Sequence, residues 1–116
     1  MAATLAEATV RIDGTTAIID LSGDINRAAE PVLNDAYEQA ATAGCTQLIV
    51  NFAGTEFINS TGIAVIVGML AKARQESRSV SACGLSQHYQ HIFQITRLAD
   101  FMPMFPDETS ARAKAS

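Results

Sequence analysis

Leu48-Ile-Val-Asn-Phe-Ala-Gly-Thr-Glu-Phe-Ile-Asn-Ser-Thr-Gly-Ile63 changes character along its length. It opens as an apolar run in which Ile49 and Val50 are β-branched, the length and composition of a fully buried strand. From Thr61 to Glu76 the pattern is helical, and Asn59 or Ser60 supplies a short polar side chain able to accept a hydrogen bond from the open first turn. The residues between read as a loop. A buried strand feeding a helix is half of a strand-helix-strand unit, and the next strand follows at Val80-Ser-Ala-Cys83.

Toward the N-terminus, Ala28 to Ala43 carries Val32, Leu33, Ala36, Tyr37 and Ala40 at three- and four-residue spacing, with Glu30, Asp35, Glu38 and Gln39 on the other side. This is an amphipathic helix. Pro31 fits its first turn, where a missing N–H has no intrahelical partner to lose, and Gly44 is a natural stop. Before it, Thr9–Asp13 and Ala17–Leu21 flank Gly14 as two strands of a hairpin, and Ser22-Gly23-Asp24 reads as a turn. Toward the C-terminus, Ser86 caps a helix bearing Tyr89, Ile92 and Phe93. Phe101 to Phe105, broken by Pro103, suits only an edge strand. Residues 107–116 read as a weak terminal helix or a flexible tail.

These elements predict the α/β class: a central mixed and mainly parallel sheet of about five strands, flanked by about four helices joined by right-handed crossovers. The chain's 116 residues suit one domain spanning 1–116, and its 48% hydrophobic content supplies one core. No internal repeat or linker is visible.

The formal net charge of -4 and the scatter of Arg11, Arg27, Arg74, Arg78, Arg97, Arg112, Lys72 and Lys114 argue against nucleic acid and against a basic membrane patch. Cys45 and Cys83 lack the close pairing of a zinc knuckle or redox dithiol. The opening Met1 to Glu7 lacks the basic start and apolar stretch of a signal peptide, and the run Ile63 to Ala71 is too short to span a bilayer, so the expected location is cytoplasmic. A phosphate-binding loop would need a lysine after its second glycine, and Gly54 and Gly62 are misspaced for it. A receiver domain would need an acidic cluster where the third strand carries Asn51. His88 and His91 lack a third zinc ligand, and Asp20, Asp24 and Glu56 lack ligand spacing, so no metal, no cofactor and no catalysis are expected.

Ser60 stands out because sites in such folds favour loops beyond the carboxyl ends of strands, where helix starts leave N–H groups unpaired. A phosphate there adds about -1.5 to -2 charges beside the positive end of a helix, which can hold it without unfolding the domain. A partner packed against the neutral hydroxyl would meet a dianion. In the helix, Ile63, Ile66, Val67 and Leu70, with Ala73 or Arg74, form the expected core stripe. Thr61, Val65, Gly68 and Lys72 lie opposite, with Met69 alongside, as a candidate protein-binding face. The same residues also allow a simpler reading, in which Asn59 to Gly62 merely cap the helix and Val65 and Met69 contact a neighbouring element.

Leu21-Ser-Gly-Asp-Ile-Asn26, the strand Leu48–Phe52 and Phe57-Ile-Asn-Ser-Thr-Gly-Ile63 together resemble bacterial STAS-domain anti-sigma factor antagonists across nearly the whole chain. In that family the first serine of an Asp-Ser-Ser/Thr-Gly-Leu/Ile motif is phosphorylated, and it corresponds to Ser60. The resemblance implies a non-enzymatic partner switch. The unphosphorylated form binds an anti-sigma factor/serine kinase of GHKL type, phosphorylation releases it, and a PP2C-type phosphatase reverses the mark. It also implies partner contacts at Ser22, Gly23, Asp24, Ile25 and Asn26, besides Asn59, Ser60, Thr61 and Gly62. Asn59 stands where the family usually has Asp. It preserves the cap and removes a charge beside the acceptor, leaving a STAS scaffold or sensor-complex domain without reversible phosphorylation as the alternative.

Overall fold

The computed structural model describes residues 5–115, with side chains to residue 113. Readings made on Met1 to Thr4, Lys114 and Ser116 lie outside the described residues or side chains. The hairpin forms as expected: β1 (Glu7–Asp13) and β2 (Thr16–Ile25) pair antiparallel about Gly14, whose φ of +64° suits a tight turn. The sheet then adds β3 (Gln47–Ile58), β4 (Ser79–Cys83) and β5 (Met104–Phe105), each parallel to its predecessor, in the order β1-β2-β3-β4-β5. The helices are α1 (Glu30–Thr42), α2 (Ser60–Gln75), α3 (Gln87–Ile95) and α4 (Glu108–Ala115). The mixed, mainly parallel α/β sheet read from the sequence is therefore the one observed.

Period-two alternation sorts the strand side chains onto two faces. Ala17, Ile19 and Leu21 of β2, Leu48, Val50 and Phe52 of β3, and Val80 and Ala82 of β4 point to one side. There they meet Leu33 and Tyr37 of α1, Ile66 and Leu70 of α2, and Phe93 of α3 in one continuous core. Phe52 and Phe93 meet edge to face at 5.9 Å between ring centroids. The opposite side buries Ile18, Ile49 and Cys83 beneath Ala111 of α4. The terminal residues include α4, whose Ala111 covers the second face. Arg112 pairs with Asp13 at 2.7 Å, and Glu108 with Arg11 at 2.5 Å.

Two expectations are corrected. Ser22-Gly23-Asp24 is strand, and so is the supposed loop Phe52–Ile58: Ser22 pairs with Gly54 and Ile25 with Ile58, with irregularities after Asp20 and Gly23. Turn-prone residues were absorbed by a long parallel pairing. Gly54 permits it, because a Cβ there would lie 2.8 Å from the Leu21 carbonyl oxygen. β4 pairs only with Gln47–Asn51, so β2 and β3 project past it as a two-stranded ribbon. That ribbon carries the candidate site.

Candidate functional site

The ribbon ends where α2 begins. Asn59 is the N-cap: its extended backbone (φ -96°, ψ -177°) turns the chain, and its Oδ1 accepts the Gly62 N–H at 2.9 Å and the Thr61 hydroxyl at 2.7 Å. The Asn59 N–H donates to the Ile25 carbonyl at 3.2 Å, tying cap to ribbon. Gly62 lies against the same carbonyl so tightly that a Cβ would stand 1.9 Å from its oxygen. Asn26 caps a short 3-10 turn over Arg27–Ala29, accepting the Ala28 N–H at 2.9 Å, and the Arg27 N–H donates to Thr61 Oγ1 at 3.1 Å. The ends of β2 and β3 and the start of α2 are one interlocked corner.

The two hydroxyls at this corner differ. Thr61 Oγ1 is half-buried and committed, donating to Asn59 and accepting from Arg27. Ser60 is exposed, and its hydroxyl has no hydrogen-bond partner among the described residues. It sits in the first turn of α2, which holds no acidic residue. The Ser60 and Thr61 N–H groups also lack acceptors among the described residues, as helix starts generally leave them. This corner presents a nucleophilic oxygen beside positive backbone charge.

The structure separates the residues expected to contact a partner. Asn59, Ser60 and Gly68 are exposed, while Ser22, Asp24, Asn26 and Thr61 are half-buried around them. Gly23, Ile25 and Gly62 are buried and shape the corner from beneath. The helical face is rotated from the one expected. Met69 is only 4% exposed and belongs to the core, Val65 packs against that core, and Lys72 is held by Glu38 of α1 over the Tyr37 ring. Val67, expected in the core, is 44% exposed. The reason is α1, which claims the flank bearing Val65, Met69 and Lys72.

The outward ridge consists of Ser60, Ala64, Val67, Gly68 and Ala71, spaced by three and four residues as one helical face requires. Phe57, near the end of β3 and just ahead of the cap, is 58% exposed. Sequence reasoning missed Phe57, Ala64, Val67 and Ala71. Phe57 was legible in principle, since strand alternation places it opposite buried Ile58. An exposed apolar ridge thus runs beside an unbonded hydroxyl.

No group of three or more His, Cys, Asp or Glu among the described residues is arranged to hold a metal ion. No helix among them is long and apolar enough to cross a membrane. Asp20 is taken by Arg11 at 2.7 Å and by Asn51 at 2.9 Å, and Arg11 holds its carboxyl below the ordinary range.

Known proteins resemble this chain in sequence and in fold. The chain is similar to an anti-sigma-B factor antagonist of Staphylococcus epidermidis, with 26% identity over 84 residues covering 72% of this chain and 78% of that one. A crystal structure of an anti-sigma factor antagonist from Mycobacterium paratuberculosis superposes with a TM-score of 0.80 at 17% identity, covering 95% of this chain and 93% of that chain. The Bacillus cell fate determinant SpoIIAA in its phosphorylated form superposes with a TM-score of 0.71 at 19% identity, covering 94% of this chain and 99% of that one. The family model described as "Mlab, STAS domain" matches residues 8–105. With the sheet and this match in agreement, the chain belongs to the STAS domain family.

Proposed function

We propose that this chain is an anti-sigma factor antagonist that works by partner switching. Unphosphorylated, it binds a GHKL-type anti-sigma factor/serine kinase through the Ser60 corner and the Phe57-Ala64-Val67-Gly68-Ala71 ridge. Phosphorylation on Ser60 releases it, and a PP2C-type phosphatase restores binding. The observation that carries this reading is the contrast at the cap: Ser60 offers an exposed, unbonded hydroxyl, whereas Thr61 is locked by two hydrogen bonds. The antagonist names of the staphylococcal and mycobacterial relatives agree with it.

The physics of the switch is local. A phosphate brings about -1.5 to -2 charges to a helix start that tolerates them. On the partner's side, the same charge must be desolvated or repelled at an apolar surface, a penalty of several kcal/mol. Affinity falls while the fold persists.

Asn59 favours a second reading, a scaffold STAS domain that binds protein without reversible phosphorylation, because it places no carboxylate beside the acceptor. Intact-mass and peptide mapping after incubation with ATP and a verified active kinase partner separates the two. One added phosphate, lost in Ser60→Ala and accompanied by weaker partner binding, is the expected result. An unchanged mass favours the scaffold.

A further inference from the structure

At the opposite end of α2 from Ser60, the surface opens into a groove of about 860 Å³ between the C-terminal half of that helix and the segment following α3. This lies within the size range of small-molecule sites. Its walls are Val67, Leu70, Val80, Leu98, Phe101 and Pro103. Phe101 is 57% exposed, an aromatic ring left at the mouth.

The rim is basic in a chain whose formal net charge is -4. Arg74, Arg78 and Arg97 line the groove, with Asp100 as the acidic lining residue. Two of these cations are occupied. Arg97 pairs with Asp100 at 2.8 Å, and Arg78 pairs with Glu76 while donating to the Cys45 carbonyl at 2.9 Å. Arg74 has no carboxylate partner among the described residues. Its guanidinium instead lies 5.5 Å from the centroid of the Phe101 ring. An apolar trough that ends at an uncompensated guanidinium stacked on an exposed aromatic has the polarity of an amphipathic acid.

We infer that this groove binds a small amphipathic anion, a molecule with an aliphatic body and one terminal carboxylate. The body lies against Leu70, Val80 and Leu98, and the carboxylate pairs with Arg74 beside Phe101. Arg74 is suited to the task because its planar fork matches a carboxylate bidentately and remains charged at any working pH. Ser60 and Ala71 are eleven positions apart on α2, roughly 16 Å along the axis, so the groove lies away from the Ser60 corner while sharing Val67 and Ala71 with the far end of the docking ridge proposed above.

Decanoate and decanol are the probes, since they share a body and differ in charge. Binding is followed by backbone amide shifts of the full chain, at concentrations below micelle formation. Arg74→Ala and Ala71→Phe are exposed helix substitutions, and circular dichroism verifies their folding. Decanoate should bind saturably with shifts confined to the groove, about tenfold more tightly than decanol, and Arg74→Ala should remove that difference, as one charged hydrogen-bonded contact implies. Ala71→Phe, which puts a ring into the trough, should weaken both probes. Equal affinity for the two probes, indifference to Ala71→Phe, or scattered unsaturable shifts would overturn the proposal. So would a dimer in sedimentation experiments that Ala71→Phe dissociates, which would make a second copy the occupant.

Discussion

The hydroxyl of Tyr89 on α3 accepts the N–H of Ile58 at the end of β3, 2.8 Å away in a buried setting. Ile58 lies beyond the last residue of β3 that β4 can pair, so this side chain stands in for a missing strand. Tyr89→Phe leaves a buried donor unsatisfied. It should cost about 1–3 kcal/mol in urea denaturation and speed amide exchange at Ile58 more than at Val50.

Gly62 is the tightest contact between α2 and the ribbon. In Gly62→Ala, the new methyl must displace the Ile25 carbonyl, which is backbone and cannot yield by a rotamer change. A loss of about 3 kcal/mol or more is expected, together with loss of partner binding despite an intact Ser60. Gly68→Ala is the internal control, since a Cβ there meets nothing within 4 Å. It should raise stability slightly, by up to about 1 kcal/mol.

Asn59→Asp keeps an acceptor for the Gly62 N–H and adds a negative charge to the start of α2. A gain of about 0.3–1 kcal/mol is expected, shrinking as salt is added, and thermal melts at two ionic strengths would register it. Ser60→Asp should stabilise for the same electrostatic reason yet weaken partner binding. Measuring both quantities on that variant separates fold from docking.

Acid should loosen the α4 side of the molecule. Hydrogen bonds from Arg11 hold the carboxyls of Asp20 and Glu108 below their ordinary values of 3.8 and 4.5. The native state therefore keeps these groups ionised to lower pH than the unfolded chain does. Their contribution is complete above the ordinary values and disappears as pH falls through the lowered native ones. Arg11→Ala should be less stable at pH 7 by about 1 kcal/mol and lose less on acidification, as melting curves at pH 7 and pH 3 would reveal.

Burial pushes the Cys83 thiol up to about 11 beneath α4. At pH 8 only about one thiol in a thousand is then ionised, and the native protein should resist a disulfide reagent at this position. Reaction on adding urea, tracking unfolding, is the expected outcome.

Much of this architecture could be read from local pattern. The hairpin about Gly14, the amphipathic α1 with Pro31 in its first turn, the buried run Leu48–Phe52 and the Ser86 cap of α3 all follow from period and punctuation. The ribbon was not legible in that way. Ser22, Gly23 and Gly54 have turn chemistry, and only pairing between segments thirty residues apart makes them strand. The phase of α2 failed similarly. The helix is apolar on several sides, so periodicity alone could not choose between Val67 and Met69, and the choice was made by the position of α1. At the corner, the sequence narrowed the cap of α2 to Asn59 or Ser60 and the structure has Asn59, while the exposure of Phe57 depended on how far β3 runs.

The strand order also bears on how the chain comes together. Every parallel strand is added beside the one before it, so the three-helix side can build outward as the polypeptide lengthens, with each new unit finding its neighbour already in place. The other side is different. Its cover is α4, which reaches back across almost the whole chain, Arg112 to Asp13 and Glu108 to Arg11. Until those residues leave the ribosome, Ile18, Ile49 and Cys83 form a bare hydrophobic strip, and a nascent chain at that stage is a natural client for a chaperone.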